Sequence, residues 1–271
     1  MIYFDQNSLA RLKSIFAELN KTVPYAYVPF ETEEDRLILH GETIRISVAK
    51  TISEAWVFAD PSYKEKIEND EVFRIITNAA AGKWLAPRSA SDPFWILLAE
   101  DKFECEDDLL ETLCHELRIC SDFIRAYHHY SKHSRVSDDP DWLRHLEEIE
   151  QSPKYNKFFL WSEFNASYTE LTVHFSMDKT PPTFPSLAAY LGYQTAESVD
   201  KILKYYLYDN KTDYLLARYL GIHRATRDLS KVYCYSRAFQ IENLIPHGIT
   251  KKYPRAFYIA NEYQEIDIFE F

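Results

Sequence analysis

Glycine is scarce in this chain, with 5 in 271 residues. That argues against a glycine-cradled nucleotide site, and neither GxGxxG nor GxxxxGK[ST] occurs. Cysteine is scarce as well: 4 in all, Cys105, Cys114, Cys120 and Cys234. They make no CxxC pair and no disulfide-like spacing, so reduced thiols and a cytoplasmic location are expected. Basic residues are outnumbered, 31 Lys and Arg against 42 Asp and Glu, which leaves a net charge of −11. A broad basic face for a phosphate backbone is not expected, so nucleic acid is set aside as a partner. No apolar run reaches about 18 residues, so no membrane span is expected. The opening MIYFDQNSLARLKS lacks the basic-then-apolar order of a signal peptide. No repeat and no low-complexity tract is visible.

Aromatic residues, in contrast, are plentiful: 15% of the chain, with 20 Tyr and 17 Phe. An aromatic-rich core is expected. A length of 271 residues is near the upper limit for one core and enough for two small ones. Taken in order, residues 5–20 read as a helix, capped by Asn7 or Ser8, with Leu9, Leu12, Phe16 and Leu19 as its stripe. Residues 25–30 read as a short strand. Residues 36–48 read as a hairpin turning at His40-Gly41-Glu42-Thr43. Helices are expected at 53–59 and 62–81, the second carrying Ile67, Val72, Ile75 and Ile76. After Pro93, the apolar run Phe94–Ala99 suits a buried or an edge strand. Past the central helix, 134–140 reads as a loop and 141–151 as a charged helix. A helix is expected at 154–177. Thr180-Pro181-Pro182 is the clearest linker. Beyond it, helices are expected at 184–192, 195–208, 211–220 and 224–240. The tail 258–271 alternates acidic and apolar residues.

The central stretch runs from Asp107 to Tyr130. Asp107 or Asp108 can cap a helix and favour its positive end. Leu110, Leu113, Leu117, Cys120, Ile124 and Tyr127 recur at steps of three and four, the spacing of one buried stripe. His115, Glu116, Ile119 and Asp122 lie off it, and 115, 119 and 122 share a second face. Read plainly, this is a core helix with a polar flank. His128, His129 and His133 follow. Positions 129 and 133 have chelating spacing if the helix extends that far; a solvated cationic helix end is the other reading.

The block His115-Glu116-Leu117-Arg118-Ile119-Cys120-Ser121-Asp122-Phe123, followed by Trp161-Ser162-Glu163-Phe164-Asn165-Ala166, resembles a group of HExxH-type (zincin-like) metallopeptidase-like proteins of bacteria and phages. Their pattern is HExxHxxDF and then W-[ST]-E-[FY]-x-A. The resemblance spans roughly residues 95–170. It implies that His115 is a zinc ligand, that Glu116 is the general base toward a metal-bound water, and that Glu163 is a ligand from another helix. It makes Asp122 and Trp161 outer residues around the ligands, with Asp122 orienting an imidazole. It also implies an edge strand beside the metal helix to pair with substrate backbone.

The chain departs from the pattern at the second ligand, where Ile119 replaces histidine. A hydrocarbon side chain binds no metal. The expected fold is therefore α+β and mainly helical, a zincin-like helical core with a small antiparallel sheet. Domains are expected at 1–178 and 183–271, or one domain throughout, with the helices of His115 and Glu163 crossing. The expected function is a pseudo-metallopeptidase that acts by protein binding or regulation, with a protein partner and no cofactor unless zinc binds. Two alternatives stand beside it: an active metal-dependent hydrolase with an unusual ligand set, and an acidic inhibitor or decoy of phage or mobile-element origin.

Overall fold

The computed structural model describes residues 10–15, 17, 31–33, 36–88, 92–133, 150–151, 155–177, 180–205, 211–234 and 237. The chain is α+β and mainly helical, and it forms two compact units. The first comprises Met1–Ser14 and Val28–Gln151, the second Ile15–Tyr27 and Ser152–Phe271. The boundary thus falls before helix 155–177 rather than after it, because that helix packs on helix 211–233. The 25–30 strand, the 134–140 loop, nearly all of the 141–151 helix and the 258–271 tail lie outside the described residues. Of the 5–20 helix, residues 10–15 and 17 are helical.

The first unit holds five strands: β1 (Glu31–Glu33), β2 (Arg36–Leu39), β3 (Glu42–Ala49), β4 (Gly82–Leu85) and β5 (Phe94–Ala99), in sheet order β1-β2-β3-β5-β4. The first three pair antiparallel. β3 pairs with β5 in parallel, Ile44 opposite Phe94 through Ala49 opposite Ala99. β4 closes the far side antiparallel, with Gly82 opposite Leu98 and Leu85 opposite Trp95. The sheet is therefore mixed, not antiparallel as expected. Between β3 and β5 the chain runs through three helices and then β4, which lies antiparallel to β5, so the reversal from β4 leaves β5 parallel to β3. β5 is interior, which explains its unbroken apolar run. The edge position belongs to β4, four residues too short to show alternation in the sequence.

A two-residue turn joins β2 to β3, with φ of 53° at His40 and 88° at Gly41. Positive φ at both central positions is the type I′ geometry, whose twist matches that of the strands. Leu37, Leu39 and Ile44 are buried beneath it.

One sheet face is covered by α1 (Ile52–Ala59), α2 (Lys64–Asn69) and α3 (Glu71–Asn78). Ile52, Ala55, Trp56 and Ile67 pack there with Leu97 and Ala99. Thr51 caps α1, its hydroxyl accepting the Glu54 N–H at 3.3 Å. The single helix expected at 62–81 is broken at Asp70. That residue is extended (φ −109°, ψ 93°), and its carboxylate accepts the Phe73 N–H, starting α3 anew. The break resets the helical phase. Phe73 turns in against Trp56, with ring centres 5.6 Å apart. Val72, Ile75 and Ile76 are 66%, 61% and 67% exposed.

The other face carries α4 (Glu106–His133), which packs on β4 and β5. Trp84 of β4 meets Phe123 of α4 with ring centres 4.6 Å apart, while the neighbouring Lys83 lies over Trp56 on the opposite face. α4 starts at Glu106, so Asp107 and Asp108 sit inside its first turn. Asp107 pairs with Arg11 at 2.7 Å, and Asp108 accepts the Glu104 N–H at 3.1 Å. The stripe Leu110, Leu113, Leu117, Cys120, Ile124 and Tyr127 is buried throughout.

The second unit holds α5 (Tyr155–Met177), α6 (Phe184–Tyr205) and α7 (Lys211–Tyr233). Four helices were expected where α6 and α7 run continuously. α5 is buried on nearly every side from Phe158 to Val173. Its hydroxyls turn back to the helix backbone: Thr169 donates to the Asn165 carbonyl at 2.9 Å, and Thr172 to that of Tyr168 at 3.0 Å. Thr226 and Ser230 do the same on α7. Polar groups so satisfied enter a core without a desolvation cost. Among the described residues no helix is long and apolar enough to cross a membrane.

Candidate functional site

α4 is buried on its polar flank as well as on its stripe. His115 is 7% exposed, Glu116 8%, Ile119 4% and Asp122 0%. β4 explains part of this cover. A Cβ added at Gly82 would stand 2.7 Å from Thr112 Cγ2 and 2.8 Å from Glu116 Cγ. The strand backbone therefore rests directly on the Glu116 side chain, an approach that glycine alone permits. β4 continues along α4 as far as Phe123. β4, and not Phe94–Ala99, is thus the edge strand that lies against Glu116.

The charges on this flank answer one another. Asp122 accepts a forked bond from Arg118 Nε, at 3.2 and 3.1 Å to its two oxygens, and Arg125 Nη1 lies 3.9 Å from it. The resemblance made Asp122 the acid that orients an imidazole; in the structure it answers the guanidinium one turn before it. Cys120 is fully buried, and that burial, with Glu116, Glu42 and Asp122 around it, pushes its thiol pKa well up. The thiol is core packing rather than a nucleophile.

Two residues that sequence reasoning passed over complete the cluster. His40, held in the left-handed region at the hairpin turn, places Nε2 2.7 Å from Ser121 Oγ. Glu42 meets His128 Nε2 at 2.9 Å. His128 is thus half-buried and paired, not a solvated helix end; α4 does extend to His133, and the side chains of His129 and His133 lie outside the described ones. The His-Gly dipeptide between β-branched runs signals the turn. Nothing in the sequence ties position 40 to position 121.

Burial first, and then the nearby charges of Arg125, His128 and Arg118, together lower the His40 pKa to about 4. The imidazole is therefore neutral near pH 7. Between pH 6.5 and about 4 the unfolded chain binds a proton here and the folded chain does not, so stability should fall as pH drops through that window. The ring is half-exposed, and solvent screening holds the loss to roughly 1–2 kcal/mol. His40→Asn keeps a residue tolerant of positive φ and should flatten that part of the curve. Urea midpoints at pH 7 and pH 4.5 for both proteins measure it.

Glu163 and Trp161 lie on α5, in the second unit. Trp161 is buried, its ring centre 6.1 Å from that of Phe158, and its carbonyl accepts from Asn165 Nδ2. Glu163 is 5% exposed. It shares an α5 face with Ser167 and Glu170, at steps of four and three. Arg218 of α7 meets that face: Nε lies 3.4 Å from Ser167 Oγ and Nη2 3.4 Å from Glu170 Oε2. Its packed surroundings oppose the guanidinium charge, but Glu170, Tyr214 and Glu163 outweigh them and raise its pKa. Glu163 thus contributes to holding a cation within its own unit. His115 belongs to the first unit and Glu163 to the second. Among the described residues no three His, Cys, Asp or Glu side chains form a group able to hold a metal ion. With Ile119 in the place of the second imidazole, the ligand set that the resemblance implies is one donor short.

No protein-family model, no curated protein and no solved structure matches this chain.

Proposed function

We propose that this chain is a metallopeptidase-like protein without a working zinc site, acting through contacts with a protein partner rather than by hydrolysis. The observation that carries the reading is Ile119, buried at 4% exposure one turn beyond His115, where the resemblance calls for a second imidazole. Three further features support it. The acids that the resemblance offers as ligand or orienter have cations in their own units: Asp122 has Arg118, and Glu163 lies in the field of Arg218. β4 lies against Glu116, its backbone at Gly82 close to that side chain. The exposed stripe Val72, Ile75 and Ile76 supplies apolar surface of the kind that protein contacts use.

Elemental analysis of the purified protein tests the reading. Zinc well below one per chain is expected, along with peptide hydrolysis no faster than that of Glu116→Ala. Ile119→His should raise zinc content toward one per chain. Stoichiometric zinc in the unaltered protein, or chelator-sensitive hydrolysis lost in Glu116→Ala, would overturn it in favour of a working hydrolase.

A further inference from the structure

The sheet face opposite α4 carries a pocket of about 400 Å³. It lies wholly within the first unit, between the ends of β3, β4 and β5 and the α1–α2 connection. Three rings line it: Trp56, Tyr63 and Trp95. Trp56 and Tyr63 stand with ring centres 4.7 Å apart. Trp95 is braced edge-on by Phe58 at 6.1 Å. The volume falls in the range that accepts a small organic molecule, and aromatic walls with a few polar groups are the usual lining of such sites.

The charges in the wall are not equivalent. Arg88 lies over Tyr63 and is tied by Nε to Asp60 Oδ2 at 2.7 Å. Asp60 also accepts from the Ser62 N–H and hydroxyl through its other oxygen, so both its oxygens are engaged. That pair builds the wall. Arg45 differs: its guanidinium lies 5.8 Å from the centre of the Trp95 ring, and among the described residues it makes no ion pair. It extends from β3, exposed, into the pocket lining. Asp92 also lines the pocket but is exposed, where solvent and salt screen its charge.

We propose that this pocket binds a small aromatic anion, its ring lying against Trp95 and Tyr63 and its carboxylate or phosphate meeting Arg45. A guanidinium beside an indole offers both a flat surface and a fork of donors, the combination that suits a planar acid. The site stands apart from the His115 flank and does not depend on the reading given above for it.

Calorimetric titration of the full chain with two probes distinguishes the sources of such an anion: adenosine monophosphate and indole-3-acetate. Indole and inorganic phosphate serve as controls, each carrying half of the chemistry. At least one probe should bind in the submillimolar range, and Arg45→Ala should weaken that binding about tenfold, the usual effect of losing one charge-assisted contact. Arg45→Lys should recover part of it. Arg45 is exposed, so both variants are expected to fold, and circular dichroism checks that they do. Binding of the nucleotide alone assigns a nucleotide; binding of indole-3-acetate alone assigns an aromatic carboxylate; binding of both leaves the general class standing. Absence of binding by either probe overturns the proposal. So does affinity matched by indole or by phosphate, or affinity indifferent to Arg45→Ala.

Discussion

Gly221→Ala should destabilise the helical second unit by about 3 kcal/mol or more, a large effect for one methyl group. Gly221 lies within α7 where that helix crosses α5. A Cβ there would overlap the Phe164 carbonyl oxygen and come within 3.1 Å of both Phe164 C and Tyr168 N. All three atoms are helix backbone, so no rotamer change makes room. The helices must separate, and α5 is buried along most of its length. Gly192, in α6, supplies the contrast: a Cβ there meets nothing within 4 Å. Gly192→Ala should stabilise by roughly 0.5–1 kcal/mol, because alanine loses less backbone entropy in a helix. Urea denaturation followed by circular dichroism reads both. Equal effects of the two substitutions would show that helix propensity, not close approach, governs position 221.

Asp122→Ala should cost the first unit about 3–5 kcal/mol. The carboxylate is fully buried and accepts from Arg118 Nε through both oxygens. The Arg118 side chain is itself only 9% exposed. Truncation removes the carboxylate that takes a forked bond from that guanidinium in a poorly solvated place. Breaking one side of a buried pair is far costlier than replacing both, so the double variant Asp122→Ala/Arg118→Met should be more stable than Asp122→Ala alone. Asp122→Asn keeps an acceptor and should cost less than the alanine variant. Chemical denaturation midpoints of these proteins and of Arg118→Met alone measure the coupling. Additive losses would mean that the two side chains do not act as a pair.

The α4 stripe was legible because its burial follows directly from the spacing of Leu110, Leu113, Leu117 and Ile124. Its flank was not. Position 122 reads as part of a polar flank, and its bond from Arg118, one turn earlier, appears only in the structure. Arg118 was also in view, but periodicity carries no information about which charges cancel. The same limit hid Glu163, whose nearby cation, Arg218, is 55 positions away on α7. Glycine misled in another way. Gly192 and Gly221 read as helix ends, the default for that residue in a Leu- and Tyr-rich run. Packing overrode the propensity at 221, where only glycine lets two backbones meet. At 62–81 the apolar spacing looked continuous, and Asp70 reads equally well as an exposed helix residue or as a cap. It acts as a cap, so Val72, Ile75 and Ile76 rotate outward. The β4 edge left no trace because four residues are too few for a pattern. The separation of His115 and Glu163 into two units had no local signal at all.

The seam between β3 and β5 sets an order of assembly. β2 finds β3 across a turn of two residues, whereas Ile44 meets Phe94, fifty positions later. During synthesis β3 therefore leaves the ribosome with one flank saturated and the other still waiting. Closing that span loses chain entropy before any pairing returns it, which makes the middle of the sheet, rather than its hairpin end, the late step in building the first unit.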